Sequence, residues 1–91
     1  MPTVKLFGVL RDRARTGRVS ISGKKTILEI LKHLAAVYGS PIGELLLETR
    51  DGEMVRRPPV VILINGVSQT DPGRVVGEEE SVTIFPSVAG G

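Results

Sequence analysis

From Thr3 to Leu10 the chain alternates: Val4 and Leu6 fall on one side, Lys5 and Phe7 on the other. That period of two predicts a half-buried strand. A basic stretch, 11-RDRARTGR-18, reads as a loop. In 18-RVSIS-22, Val19 and Ile21 share one face and the serines the other, predicting a second strand and hence a hairpin. The period then changes. Ile27, Ile30, Leu31, Leu34 and Tyr38 recur at helical spacing, one stripe facing one core. Thr26 and Glu29 form a capping box at the start, Gly39 supplies a stop, and Pro41 prevents continuation. A short helical turn is expected in 42–48.

Asp51-Gly52 marks a turn, with Met54 and Val55 in a short strand. The run 60-VVILI-64 reads as a central strand, covered on both faces or covered on one and open to a partner on the other. Asn65-Gly66 signals another tight turn. In the last strand, 81-SVTIFP-86, Val82 and Ile84 share one face while Thr83 and Phe85 share the other. A hairpin, a crossing helix and further strands make an α+β roll. Pairing of the first and last strands at its centre gives the β-grasp topology: a mixed sheet of four to five strands on one main helix. Residues 1–85 form that domain, and 86–91 follow it as a flexible tail.

Ninety-one residues suit one domain and one core. The aromatic residues are only Phe7, Tyr38 and Phe85, so the core is expected to be aliphatic. With no cysteine, thiolate catalysis, Cys-ligated metal and sulfur carried on a side chain are excluded. A net charge of +2 does not suggest a nucleic-acid binder. The start lacks a signal peptide's pattern and no apolar run could span a bilayer, so a cytoplasmic protein is expected.

Candidate chemistry inside the chain is sparse. His33 is the only histidine, lies off the apolar stripe, and has no second ligand at metal spacing, so no metal site is expected. The serines lack a base, and no glycine-rich phosphate loop is present. Arg11, Arg13, Arg15 and Arg18 read as a solvated loop, and 78-EEE-80 as a charged turn. What remains is the ending, 85-FPSVAGG-91. Small residues there could thread a narrow tunnel and deliver the α-carboxylate of Gly91. A carboxylate is a poor acyl donor until activated, and with no nucleotide site in this chain another protein must do it.

The segments 4-VKLFGVLRDRA-14, TILEILKHLAAVYG, ILINGV and 82-VTIFPSVAGG-91 occur in the order found in the MoaD/ThiS family of ubiquitin-like sulfur carriers, which the chain resembles throughout, most closely on the molybdopterin synthase small-subunit branch. The resemblance implies a β-grasp fold and a non-catalytic carrier with no cofactor of its own. A ubiquitin-activating-type adenylyltransferase would use ATP and magnesium to adenylate Gly91, and a persulfide donor would convert it to a thiocarboxylate. The molybdopterin synthase large subunit would then accept the tail for sulfur transfer to the pterin precursor. By position, Gly91 carries the sulfur, Gly90 keeps the tail slim, and Phe85, Pro86, Val88 and Ala89 guide and anchor it. Ser87 departs from the second proline common in the family. Two alternatives stand beside this reading: a protein modifier joined to lysines through Gly91, and a carrier for thiazole or another sulfur-containing metabolite.

Overall fold

The computed structural model describes residues 2–58 and 60–86. Strand β1 (Thr3–Leu6) leads into helix α1 (Val9–Ala14), then β2 (Arg18–Ser20) and β3 (Lys25–Thr26). Helices α2 (Ile27–Tyr38) and α3 (Ser40–Leu46) follow, then a hairpin of β4 (Leu47–Arg50) and β5 (Glu53–Arg56). The remainder is β6 (Val61–Ile64), β7 (Val67–Gln69), β8 (Val75–Val76) and β9 (Ser81–Phe85).

Five of these strands form one sheet in the order β2-β1-β9-β6-β7. The β1 and β9 strands run parallel at its centre, and the other pairings are antiparallel. The α+β roll with first and last strands as neighbours is therefore the observed fold. Two small sheets, β3 with β8 and β4 with β5, complete it.

The alternation in the central strands sets the layers. Val4, Leu6, Ile62, Ile64, Val82 and Ile84 are all buried, facing the helices. From α2, Ile27, Ile30, Leu31 and Leu34 meet them. The core is aliphatic, and no polar side chain is buried among the described residues. The predicted start of α2 is in place: Thr26 Oγ1 accepts from Glu29 N at 3.1 Å, and Glu29 Oε1 accepts from Thr26 N at 2.8 Å. These bonds lower the Glu29 pKa, the backbone bond from Thr26 contributing most.

Several local expectations are corrected. Much of the basic segment is helical: Leu10 and Ala14, four apart, are buried on one side of α1. That apolar pair outweighs the surrounding charge. The first strand accordingly stops at Leu6, and α1 lies within the hairpin connection. After Gly39 the chain starts a new helix, with Pro41 in its first turn, where a missing N–H costs nothing. Asp51-Gly52 does close a hairpin, β4–β5. Strand β6 is covered on one face only: Ile62 and Ile64 are buried, whereas Val61 is exposed.

Candidate partner-binding face beside the last strand

Strand β9 is bonded on both sides, so its outward residues have fixed neighbours. Register with β1 places Leu6 beside Ile84, and the residues that follow them, Phe7 just past the end of β1 and Phe85 in β9, meet on the outer face. Their rings stack with centroids 5.0 Å apart and planes 22° from parallel. On the other side, Val61 pairs directly with Phe85. Phe7 is 41% exposed, Phe85 38% and Val61 41%. Three large apolar side chains thus form one contiguous exposed patch, the kind of surface that marks an interaction site. Half-buried Leu63, opposite Thr83, extends it along β6. Lys5 and Arg18 face each other across β1 and β2, and among the described residues neither has a carboxylate partner. The patch therefore has a basic flank.

Pro86 closes the strand. It is buried, and a Cβ built on Gly8 would lie 3.6 Å from its Cγ, an ordinary packing distance. Gly8 has φ 59° and ψ −133°, a conformation open essentially to glycine alone. This glycine turns the chain from β1 into α1 while leaving Pro86 a seat.

Phe85 and Pro86 are thus placed on the outer face and at the strand's end. Val88, Ala89, Gly90 and Gly91 lie outside the described residues. Phe7, Val61 and Gly8 complete the face, and sequence reasoning did not single them out. The alternation of Phe7 with Leu6 put it on the polar side, but only the parallel register reveals which residue it meets.

Other candidates stay separate. His33 is exposed on α2, and no cluster of metal-ligating side chains occurs among the described residues. Arg13 is committed to Glu44 at 2.7 Å and the carbonyl of Pro41 at 2.8 Å, while Arg11, Arg15 and Arg18 are exposed. The acidic turn divides. Glu78 and Glu79 are exposed, but Glu80 accepts two bonds from Arg74, at 2.8 and 3.0 Å, and one from Gly77 N at 2.7 Å. Arg74 above all, then the Gly77 amide, pulls the Glu80 carboxyl down to about 2. Glu80 therefore locks the loop that delivers β9. No helix among the described residues is long and apolar enough to cross a membrane.

A family model described as the ThiS family matches residues 4–91. No curated relative matches the chain. Among solved structures, the small archaeal modifier protein 1 of Methanosarcina acetivorans is 26% identical, covering 99% of this chain and 95% of that one, with a TM-score of 0.84. Its counterpart from Haloferax volcanii is also 26% identical, covering 99% and 98%, with a TM-score of 0.71. CysO of Mycobacterium tuberculosis, described as an antigen, is 25% identical over 97% and 100%, with a TM-score of 0.73.

Proposed function

Because this chain belongs to the ThiS family, we propose that it is a ubiquitin-like carrier whose Gly91 carboxylate is activated by a partner and handed to an acceptor. The carboxylate attacks the α-phosphorus of ATP, pyrophosphate leaves, and an acyl adenylate results. An incoming nucleophile then displaces AMP. Magnesium and the catalytic groups belong to the partner, a ubiquitin-activating-type adenylyltransferase.

The observation that carries this reading is the exposed Phe7–Phe85 pair beside buried Pro86. Five residues separate Pro86 from the chain's last carboxylate, and five residues span at most about 17 Å. A partner's ATP site must therefore come within about that distance of Pro86. The apolar face of Phe7, Phe85 and Val61 is the surface next to that point, and its stacked aromatic pair suits a buried anchor in the partner. Phe85 and Pro86 seat the partner. Val88, Ala89 and Gly90 supply the narrow lead, and Gly91 the reacting carbon.

The leading identity of the nucleophile is a lysine amine, making the chain a protein modifier. Likeness to small archaeal modifier protein 1 over nearly the full length of both chains supports it. The second reading is sulfur transfer: the terminal sulfur of a persulfide donor displaces AMP to give an acyl disulfide, a thiol of the donor or partner cleaves its S–S bond to release the thiocarboxylate and leave a disulfide behind, and the large subunit of molybdopterin synthase uses the thiocarboxylate on the pterin precursor. The family match and the ending 82-VTIFPSVAGG-91 favour that reading.

Incubation of the chain with such an adenylyltransferase, ATP and magnesium should produce chain-dependent pyrophosphate exchange, lost on deletion of Gly91. A sulfur donor should then give the mass change of one oxygen replaced by sulfur. Conjugation should instead leave, after trypsin, a remnant on lysine that begins at Val75, because Arg74 is the last cleavable residue. If exchange is absent and neither product forms, the proposal fails.

A further inference from the structure

No strand of the five-stranded sheet carries an acidic residue. Lys5 and Arg18 are the only charged residues in those strands, and they share the outer face with Phe85. All ten acidic residues of the chain lie elsewhere.

The two cations are as close as a sheet allows. Leu6 N donates to Gly17 O at 3.0 Å, and Ile21 N donates to Pro2 O at 3.0 Å. Hydrogen-bonded and non-bonded pairs alternate along an antiparallel ladder, so Lys5 and Arg18 form a non-bonded pair, the kind whose side chains lie closest. Like charges directly opposite destabilise a sheet. Arg11 adds a third cation: a Cβ on Gly17 would lie 3.5 Å from Arg11 Cδ, so that side chain runs beside the residue before Arg18. Asp12 is exposed on the side of α1 opposite buried Leu10 and Ala14, and it forms an ion pair with none of the three.

Lys5 stands two residues before Phe7 on the same face, about 7 Å along the strand. The row Arg18, Lys5, Thr83, Leu63 runs beside the row Phe7, Phe85, Val61. A stable interface covers about 800 Å² of each partner, a span far wider than that spacing. A partner that covers the aromatic pair therefore also covers Lys5, which is already half-buried. Taking adjacent cations out of water without a counter-charge would offset the gain from the apolar contact beside them.

We infer that the partner seated on Phe7, Phe85 and Val61 presents a carboxylate between Lys5 and Arg18, about 7 Å from its pocket for the aromatic pair. This rests on the reading of that face as the docking surface for the activating partner. The cation pair then selects among partners. One whose matching surface is apolar or basic is refused, because both charges would be stranded. A nucleic acid fits less well, since it needs a track of cations along its backbone, and here the cations stand beside an apolar row.

Chain-dependent pyrophosphate exchange by the adenylyltransferase, run from about 50 to 500 mM salt, tests the inference. For the double variant Lys5→Gln/Arg18→Gln, the chain concentration giving half-maximal exchange should rise at least about tenfold. The maximal rate should change much less. Lys5→Arg keeps the charge and should stay within about twofold of the unaltered chain. Rising salt should weaken the unaltered chain's docking and affect the double variant far less. In urea the double variant should be no less stable, because a repulsive pair has gone, so its docking loss is not a folding defect. A water-soluble carbodiimide, which joins an amine to a carboxylate in contact with it, should link Lys5 to an aspartate or glutamate of the partner. An unchanged half-maximal concentration in the double variant, or equal salt dependence in both chains, would overturn the inference and leave activation of Gly91 standing. No exchange from the unaltered chain would instead overturn that parent reading, and this one with it. Binding of single-stranded RNA that the double variant loses, with its exchange unaffected, would replace the carboxylate with a nucleic acid.

Discussion

Phe85→Ala separates a docking residue from a core residue. At 38% exposure, about three-fifths of the side chain is covered. Full burial of a phenylalanine is worth about 1.5–3 kcal/mol, so the covered part contributes about 1–2. Loss of the stacked contact with Phe7 adds about 0.5–1.5 kcal/mol. Water can fill the vacated space on the outer face, so no cavity penalty applies. The expected destabilisation is about 1.5–3.5 kcal/mol, reaching only the lower end of the 3–5 typical of a core phenylalanine. Affinity for the activating partner should suffer more: a central aromatic anchor is worth at least about 2 kcal/mol, or roughly 30-fold. Leu34→Ala is the counterpart. Leu34 is fully buried, so the substitution should cost about 2–5 kcal/mol of stability. Partner affinity of the folded fraction should barely change. Urea unfolding gives the first quantity for both variants, and calorimetric titration with the partner gives the second. If Phe85→Ala costs as much stability as Leu34→Ala yet leaves affinity within about twofold, Phe85 is a core residue and the proposed face is wrong.

Two further expectations test the frame around that face. The Glu80 carboxyl is depressed to about 2, so its stabilising bonds are fully present above the ordinary carboxylate range and are lost as pH falls toward about 2. Glu80→Gln should therefore have a lower urea midpoint than the unaltered chain at neutral pH, with the gap closing in acid; a gap that persists unchanged to about pH 2 would show that the ionised carboxylate is not what holds Arg74. Gly8→Ala should cost about 1–3 kcal/mol through its positive φ, without a clash against Pro86. Gly17→Ala meets only ordinary contacts, with Arg11 and the Leu6 carbonyl, and should stay within about 0.5 kcal/mol of the unaltered chain. Equal effects in thermal melts would remove the conformational argument for Gly8.

Where one local rule dominated, the sequence was readable. The Thr26–Glu29 capping box and the 27–38 stripe appear as α2 in the structure. The alternation of 82–85 set Phe85 opposite Val82 and Ile84 but left open which side faced the helices; burial of Val82 and Ile84 puts Phe85 outside. Local reasoning failed where two signals competed or where distant segments meet. Charge masked the Leu10–Ala14 pair of α1, and an acidic run concealed that Glu80 alone has a fixed partner, Arg74. The partnership of Phe7 with Phe85 depends on a parallel register between the two ends of the domain, which no local pattern encodes.

Strand β9 lies at the middle of the sheet and pairs with the very first strand. Contacts between segments so far apart close late and slowly in folding. As the chain leaves the ribosome, β1–β2 and β6–β7 can pair only as separate hairpins until residues 81–85 arrive between them. The segment that completes the fold is thus the one that leads directly into the tail. A partner that grips Phe7, Phe85 and Val61 together therefore reads out, in one contact, that synthesis has passed β9 and that the sheet has closed. Unfolded or prematurely ended chains would not present that surface, and activation would be reserved for finished domains.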